Sequence, residues 1–136
     1  FSGYGGFQMT EFELATAALH KLPIKIFVLD NKYLGMVRQW QELFYDHRYS
    51  SVDMQGNPDF VKLAEAYGIP GLRIKRAADA ERMIQKALDY NEGPILIWCE
   101  CEKEDNVFPM IPAGAPLTSM ITEQPKAQLE KPTGST

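Results

Sequence analysis

Apolar and polar positions along this chain change their period several times, and each change marks an element. The run IKIFVLD (24–30) is β-branched and apolar with little alternation, the pattern of a parallel strand covered on both faces. PILIWCEC (94–101) repeats that pattern, and GLRIK (71–75) is a shorter version of it. Other stretches follow a helical period. FELATAALHKL is rich in Ala and Leu, and Thr10 with Glu13 matches a capping box, so a helix over about 11–21 is expected, closed by Pro23. Leu34, Val37, Trp40, Gln41 and Phe44 recur at intervals of three and four, which predicts a helix beginning near Gly35. NPDFVKLAEAYG (57–68) reads as a helix with Asn57 as cap, Pro58 in its first turn and Gly68 at its exit. ADAERMIQKALDY (78–90) is amphipathic, with Met83, Ile84, Ala87 and Leu88 on one side.

The order helix, strand, helix, helix, strand, helix, strand implies an α/β domain of three layers, a mostly parallel sheet with helices on both faces. Such a sheet normally opens with a strand, whereas this chain opens on FSGYGG, with Gly3, Gly5 and Gly6 leading straight into a helical pattern. The first strand is therefore expected to be missing or truncated, and the chain to be a fragment of something longer. Beyond residue 102 the periodicity stops, and five of the nine prolines fall there, which leaves no room for a long element. The expected organisation is a domain over 1–106, an extended arm over 107–122 and a disordered tail over 123–136.

Composition narrows the partners. A net charge of −4 with scattered lysines and arginines argues against nucleic acid or an anionic membrane. No apolar run approaches the ~20 residues a membrane span requires. Cys99 and Cys101 would share one face of a strand, too close for a relaxed disulfide, so reduced thiols and a cytoplasmic location are expected. His20 and His47 have no Ser or Cys partner at a useful spacing. The acidic run ECEKED (100–105) lacks the spacing of a calcium loop and reads as a solvated strand end.

The chemistry concentrates at two strand ends. Ligands of open α/β sheets bind at the carboxyl ends of the strands, where GYGG and DNKYLGM (30–36) both fall. A diphosphate there would meet the N–H groups of Gly5 and Gly6 and a helix start. Its charge would need a hard cation, for which Asp30 and Asn31 offer oxygen ligands. The same residues also suit a plain turn followed by an Asx-rich loop. Trp40, Phe44 and Tyr45 are either core or the wall of an apolar pocket, and Met9 and Met36 either fill core or line that wall.

Taken together, GFQMTEFELATA, LPIKIFVLDNKYLGMVRQWQELFYDHRYS, NPDFVKLAEAYG and VFPMIPAGAPLTSMI resemble the C-terminal thiamine-diphosphate-binding domain of the acetolactate synthase large subunit, from residue 3 to about 122. The Gly-Asp-Gly…Asn-Asn pattern is common to thiamine-diphosphate enzymes, whereas LGMVRQWQELFY is far more specific to acetolactate synthases. The resemblance implies a magnesium site at Asn31 and the Tyr33 backbone carbonyl, with Gly5 and Gly6 on the diphosphate. It places Met9, Met36 and Val37 near the cofactor. Val37, Trp40 and Phe44 would line the substrate channel, and 107–121 would close over the site. The implied reaction is that of a carboligase, a transferase of branched-chain amino-acid biosynthesis. It condenses two pyruvates, or pyruvate and 2-ketobutyrate, with loss of CO2. No catalytic residue is expected in this chain: the activating Glu would lie in an N-terminal domain of the partner subunit of a homodimer. FAD would bind a middle domain, and a small regulatory subunit is a further possible partner.

Three positions depart from the family pattern. Tyr4 stands where the family has its metal-binding Asp, Ser2 stands where it has a second Asp, and Asn-Asn reads Asp30-Asn31. A phenol with a pKa near ~10 is a poor Mg2+ ligand, and Asp30 should point away from Asn31 at a strand end. The isolated chain is therefore expected to bind thiamine diphosphate weakly or not at all and to lack activity. The alternatives are a non-catalytic assembly module, or a fragment of another thiamine-diphosphate-dependent 2-keto acid decarboxylase. The RQWQ stretch argues against the last.

Overall fold

The computed structural model describes residues 1–125. Four strands form one wholly parallel sheet: β1 (Ser2–Gly3), β2 (Lys25–Asp30), β3 (Gly71–Ile74) and β4 (Ile95–Glu100), in the order β1-β2-β4-β3. The short first strand is real. It pairs Ser2 with Val28 and Gly3 with Leu29, so the first strand is present as a two-residue edge. The longest ladder joins β2 to β4 over six positions, from Lys25 opposite Ile95 to Asp30 opposite Glu100.

Helices cover both faces of the sheet. Strand β4 is the central apolar element, with Ile95, Leu96, Ile97 and Trp98 all buried, as its unalternating sequence requires. One face packs Val28, Leu96 and Trp98 against α1 (Tyr4–Gln8), α2 (Leu14–Leu19) and α4 (Phe60–Ala66), through Tyr4, Phe7, Leu14, Phe60 and Ala64. The other packs Phe27, Ile95 and Ile97 against α5 (Ala77–Asp89), through Ala80, Met83, Ile84 and Ala87. Leu88, expected on that apolar side, is exposed, because the buried stripe turns around Ala87 instead. Helix α3 (Gly35–Phe44) follows β2.

Two helix starts differ from their expected places. The helix predicted over 11–21 begins earlier, at Tyr4, inside the glycine turn, and is then broken by a 3-10 turn at Glu11–Glu13 before α2. Thr10 makes no side-chain cap, so the capping box is not formed; the chain arrives there already helical. At α4 the cap is Asp59, whose Oδ1 accepts from Val61 N and Lys62 N at 3.0 Å each. Asn57 and Pro58 lie before the helix, because Asp59 is still extended at φ −70°, ψ 111°.

Beyond β4 the described chain has no long element. Met110 and Ile121 exchange backbone hydrogen bonds of 2.9 and 2.8 Å, with a 3-10 turn at Leu117–Ser119 between them. Residues 123–125 belong with this arm, and the remainder of the expected tail lies outside the described residues.

Replacing Asp59 by Ala removes the only side-chain acceptor at the start of α4. The expected cost is about 1 kcal/mol of unfolding free energy, read from the midpoint shift in urea at unchanged slope.

Candidate functional site

A cleft of about 500 Å3 opens at the carboxyl ends of β1 and β2. Its walls include Gly3, Gly5 and Gly6 on one side and Asn31, Tyr33, Gly35, Met36 and Val37 on the other. The two stretches singled out by sequence therefore face each other. Gly5 and Gly6 sit in the first turn of α1, whose N–H groups have no intrahelical acceptors and no side-chain cap. Gly5 also serves packing: a Cβ there would lie 2.5 Å from Leu34 Cδ2. Gly35 plays the matching part, since a Cβ would fall 2.8 Å from Asn31 Nδ2.

The loop after β2 is tightly built. Asn31 Oδ1 accepts from Tyr33 N at 3.2 Å. Leu34 N donates to Val52 O and Met54 N to Lys32 O, each at 2.9 Å, and Tyr33 bridges Asp53. Asp30 is fully committed at the base of this loop. It is 1% exposed and accepts from Trp98 Nε1 at 2.7 Å and Lys32 N at 3.0 Å, and it forms an ion pair with Lys32 Nζ. It does not line the cleft, and its oxygens have partners already.

Tyr4 contributes only to the back of the cleft. Its ring is buried at 3% exposure, packs edge-on against Phe60 at 5.1 Å and donates its hydroxyl to Met54 O at 3.1 Å. Burial pushes the phenol above its ordinary value of 10.0. A protonated, hydrogen-bonded ring in the core is no metal ligand. The donor set thus does not fit a magnesium site of the implied kind: Asn31 and the Tyr33 carbonyl remain, without the carboxylate that should join them.

The other expected residues separate. Met36 and Val37 line the cleft, whereas Met9 is 74% exposed at the end of α1 and does not. Val37 continues into a second hollow of about 520 Å3 with Trp40, Gln41, Tyr45 and Arg48. Trp40 meets Phe44 edge-on at 5.2 Å on the same open side of α3. Trp40 and Tyr45 wall this hollow, while Phe44 is exposed and lines neither space.

Glu102, Asp105 and Cys101 also line the cleft mouth, a role that the acidic run did not reveal in sequence. Only the fold brings it there, by carrying β4 alongside β2. Glu100 is otherwise engaged, in an ion pair with Arg73. Both cysteines are free thiols. Burial and the neighbouring Cys101 push the Cys99 thiol up, so it holds its proton. Among the described residues, no group of three or more His, Cys, Asp or Glu could hold a metal ion. None of the described helices is long and apolar enough to cross a membrane.

A glycine-lined crevice at the carboxyl ends of parallel strands lies where open α/β domains bind their ligands. Comparison with known proteins gives the family: residues 1–99 match the thiamine pyrophosphate enzyme C-terminal TPP-binding domain, and the chain belongs to that family. The acetolactate synthase large subunit of Pyropia yezoensis is 44% identical over 121 residues, covering 88% of this chain and 20% of that protein. The Escherichia coli acetolactate synthase isozyme 2 large subunit is 43% identical over 120 residues, covering 88% and 22%. The mitochondrial acetolactate synthase catalytic subunit of Saccharomyces cerevisiae is 40% identical over 129 residues, covering 95% and 18%. The chain therefore spans about a fifth of the length of these relatives.

Asp30 and Lys32 should behave as a coupled pair. Asp30→Asn leaves the Lys32 ammonium without its counter-charge and is expected to cost about 2 kcal/mol. Adding Lys32→Gln should return most of that loss, giving a favourable coupling energy in a double-mutant cycle of urea unfolding.

Proposed function

We propose that this chain is the cofactor-binding part of an acetolactate synthase large subunit. The whole enzyme would use thiamine diphosphate to join two pyruvates, or pyruvate and 2-ketobutyrate, with release of CO2 in branched-chain amino-acid biosynthesis. The observation that carries the reading is the single cleft into which Gly5, Gly6, Asn31, Tyr33 and Met36 all converge. Thiamine diphosphate, when bound, supplies the electron sink for decarboxylation. This chain's own residues would cradle the diphosphate through the Gly5 and Gly6 N–H groups and shape the apolar approach through Met36, Val37 and Trp40. The activating glutamate, FAD, the second subunit of a homodimer and a regulatory subunit would come from outside the chain. Free Cys99 and Cys101 support a reducing compartment such as the cytoplasm.

Magnesium is the weak part of this site. With Tyr4 in the core and Glu102 and Asp105 at the mouth, a diphosphate lacks the cation that should neutralise it. The isolated chain is thus proposed to bind thiamine diphosphate poorly and to have no carboligase activity. The same observation favours one second reading, an assembly module that keeps the family's contacts without its cofactor. Self-association in size-exclusion chromatography without cofactor binding would support it.

Isothermal titration of the chain with thiamine diphosphate should show no micromolar binding, and Mg2+ should not tighten it. Micromolar, Mg2+-dependent binding would falsify the crippled site. Tyr4→Asp restores the family carboxylate but removes a core ring, at an expected cost of about 3 kcal/mol in stability. If the folded variant gains Mg2+-dependent binding, the deficit lies at position 4. No gain would place it in the absent domains.

A further inference from the structure

Helix α3 is amphipathic in the opposite sense from a surface helix. Met36 and Val37 are exposed, while Arg38 and Gln39 are buried at 7% and 1% exposure. On that polar side the C-terminal arm meets Gln39. Gln39 holds the arm as a neighbouring strand would: its Oε1 accepts from Val107 N at 2.8 Å, and its Nε2 donates to Val107 O at 2.9 Å. One turn on, Glu42 gathers both ends of the arm on a single oxygen. Its Oε1 accepts from Asn106 Nδ2 at 3.0 Å and from Gln124 Nε2 at 2.9 Å. Between those ends the Met110–Ile121 bridge closes the loop, so the arm is a clasp held at Gln39 and pinned at both ends by Glu42.

The other oxygen of the pin turns to Arg38 and Tyr49. Glu42 Oε2 accepts from an Arg38 guanidinium nitrogen at 2.8 Å. The guanidinium lies 5.2 Å from the ring of Tyr33 and 5.1 Å from that of Tyr49. Tyr33 belongs to the loop that walls the cleft. Because Arg38 and Glu42 are largely shielded from water, with side chains 8% and 11% exposed, their pairing is screened far less than a surface ion pair.

We propose that Glu42 is a positioning residue that joins the C-terminal clasp to the Asn31–Gly35 cleft loop, through Arg38 and Tyr33, so that the arm and the loop order together. Whatever orders the loop then tightens the clasp, and by thermodynamic reciprocity the closed clasp favours the ordered loop. The functional meaning rests on reading the cleft as the cofactor site. The coupling itself does not, and can be measured on the chain without any ligand.

The test is amide hydrogen exchange of the full chain in two windows, 107–121 and 31–35, with β4 as internal control. Both windows contain hydrogen-bonded amides that report opening, such as Met110, Ile121, Tyr33 and Leu34. Glu42→Ala should speed exchange about tenfold or more in both windows and leave β4 unchanged. Glu42→Gln keeps the oxygen that holds Asn106 and Gln124 but loses the charge facing Arg38. It should loosen the arm less than Glu42→Ala does while the 31–35 window quickens. Asn106→Ala removes the donor to Glu42 and Gln124 without substituting a residue of α3, so it decides the matter even if Glu42→Ala fails to fold; it should quicken both windows several-fold. An arm that loosens in Asn106→Ala or Glu42→Ala while 31–35 stays unchanged would overturn the coupling. So would an arm as loose in Glu42→Gln as in Glu42→Ala.

Discussion

The carboxylate of Asp30 sits where β2 ends and the cleft begins, and much of the site depends on how it is satisfied. A buried carboxylate is costly unless its oxygens are hydrogen-bonded and its charge is met. Trp98 donates to it from the neighbouring strand, and Lys32 does so from its own loop, through both backbone and ammonium. That arrangement fixes the direction in which the chain leaves β2, with Lys32 in the left-handed region at φ 64°, and so sets where Asn31 and Tyr33 stand. Trp98 is held in turn by the Arg73 guanidinium, 3.9 Å from its ring. The carboxyl end of the sheet is thus a polar network laid over an apolar core.

The same network explains why position 4 matters. Lys32 Nζ lies 5.5 Å from the ring of Tyr4 and 5.0 Å from that of Trp98, close enough for a cation–π contribution to each. A tyrosine at the start of α1 is therefore part of the packing beneath the cleft, and Asp30, Lys32 and Tyr4 form a self-consistent set. The Asp30 charge is balanced internally, by the Lys32 ammonium. The glycines above that set retain a geometry suited to phosphate, which is why family membership and metal fit point in different directions here.

Most of the architecture was legible in the sequence. β2 and β4 are buried on both faces, and their unbroken β-branched runs said so; the intervals of α5 marked its buried stripe apart from Leu88. The glycine turn and the DNKYLGM loop could be assigned to one cleft because strand ends of a parallel sheet converge. What could not be read was set by contacts distant along the chain. Thr10 and Glu13 form a good local cap, yet the helix had already begun at Tyr4, whose ring is drawn into the core by Phe60. Arg38 and Gln39 look like solvent residues in any helical projection; the returning arm meets Gln39, and the rings of Tyr33 and Tyr49 meet Arg38. Glu102 and Asp105 reach the cleft because β4 lies beside β2, an adjacency with no local signature.

Val37 lies on the boundary between the glycine-lined cleft and the hollow walled by Trp40. A side chain shared by both walls makes the two spaces interdependent in volume. Bulk added at that position encroaches on both hollows at once. Selection for the size of a molecule in one chamber therefore acts on the other, so neither can be resized there alone.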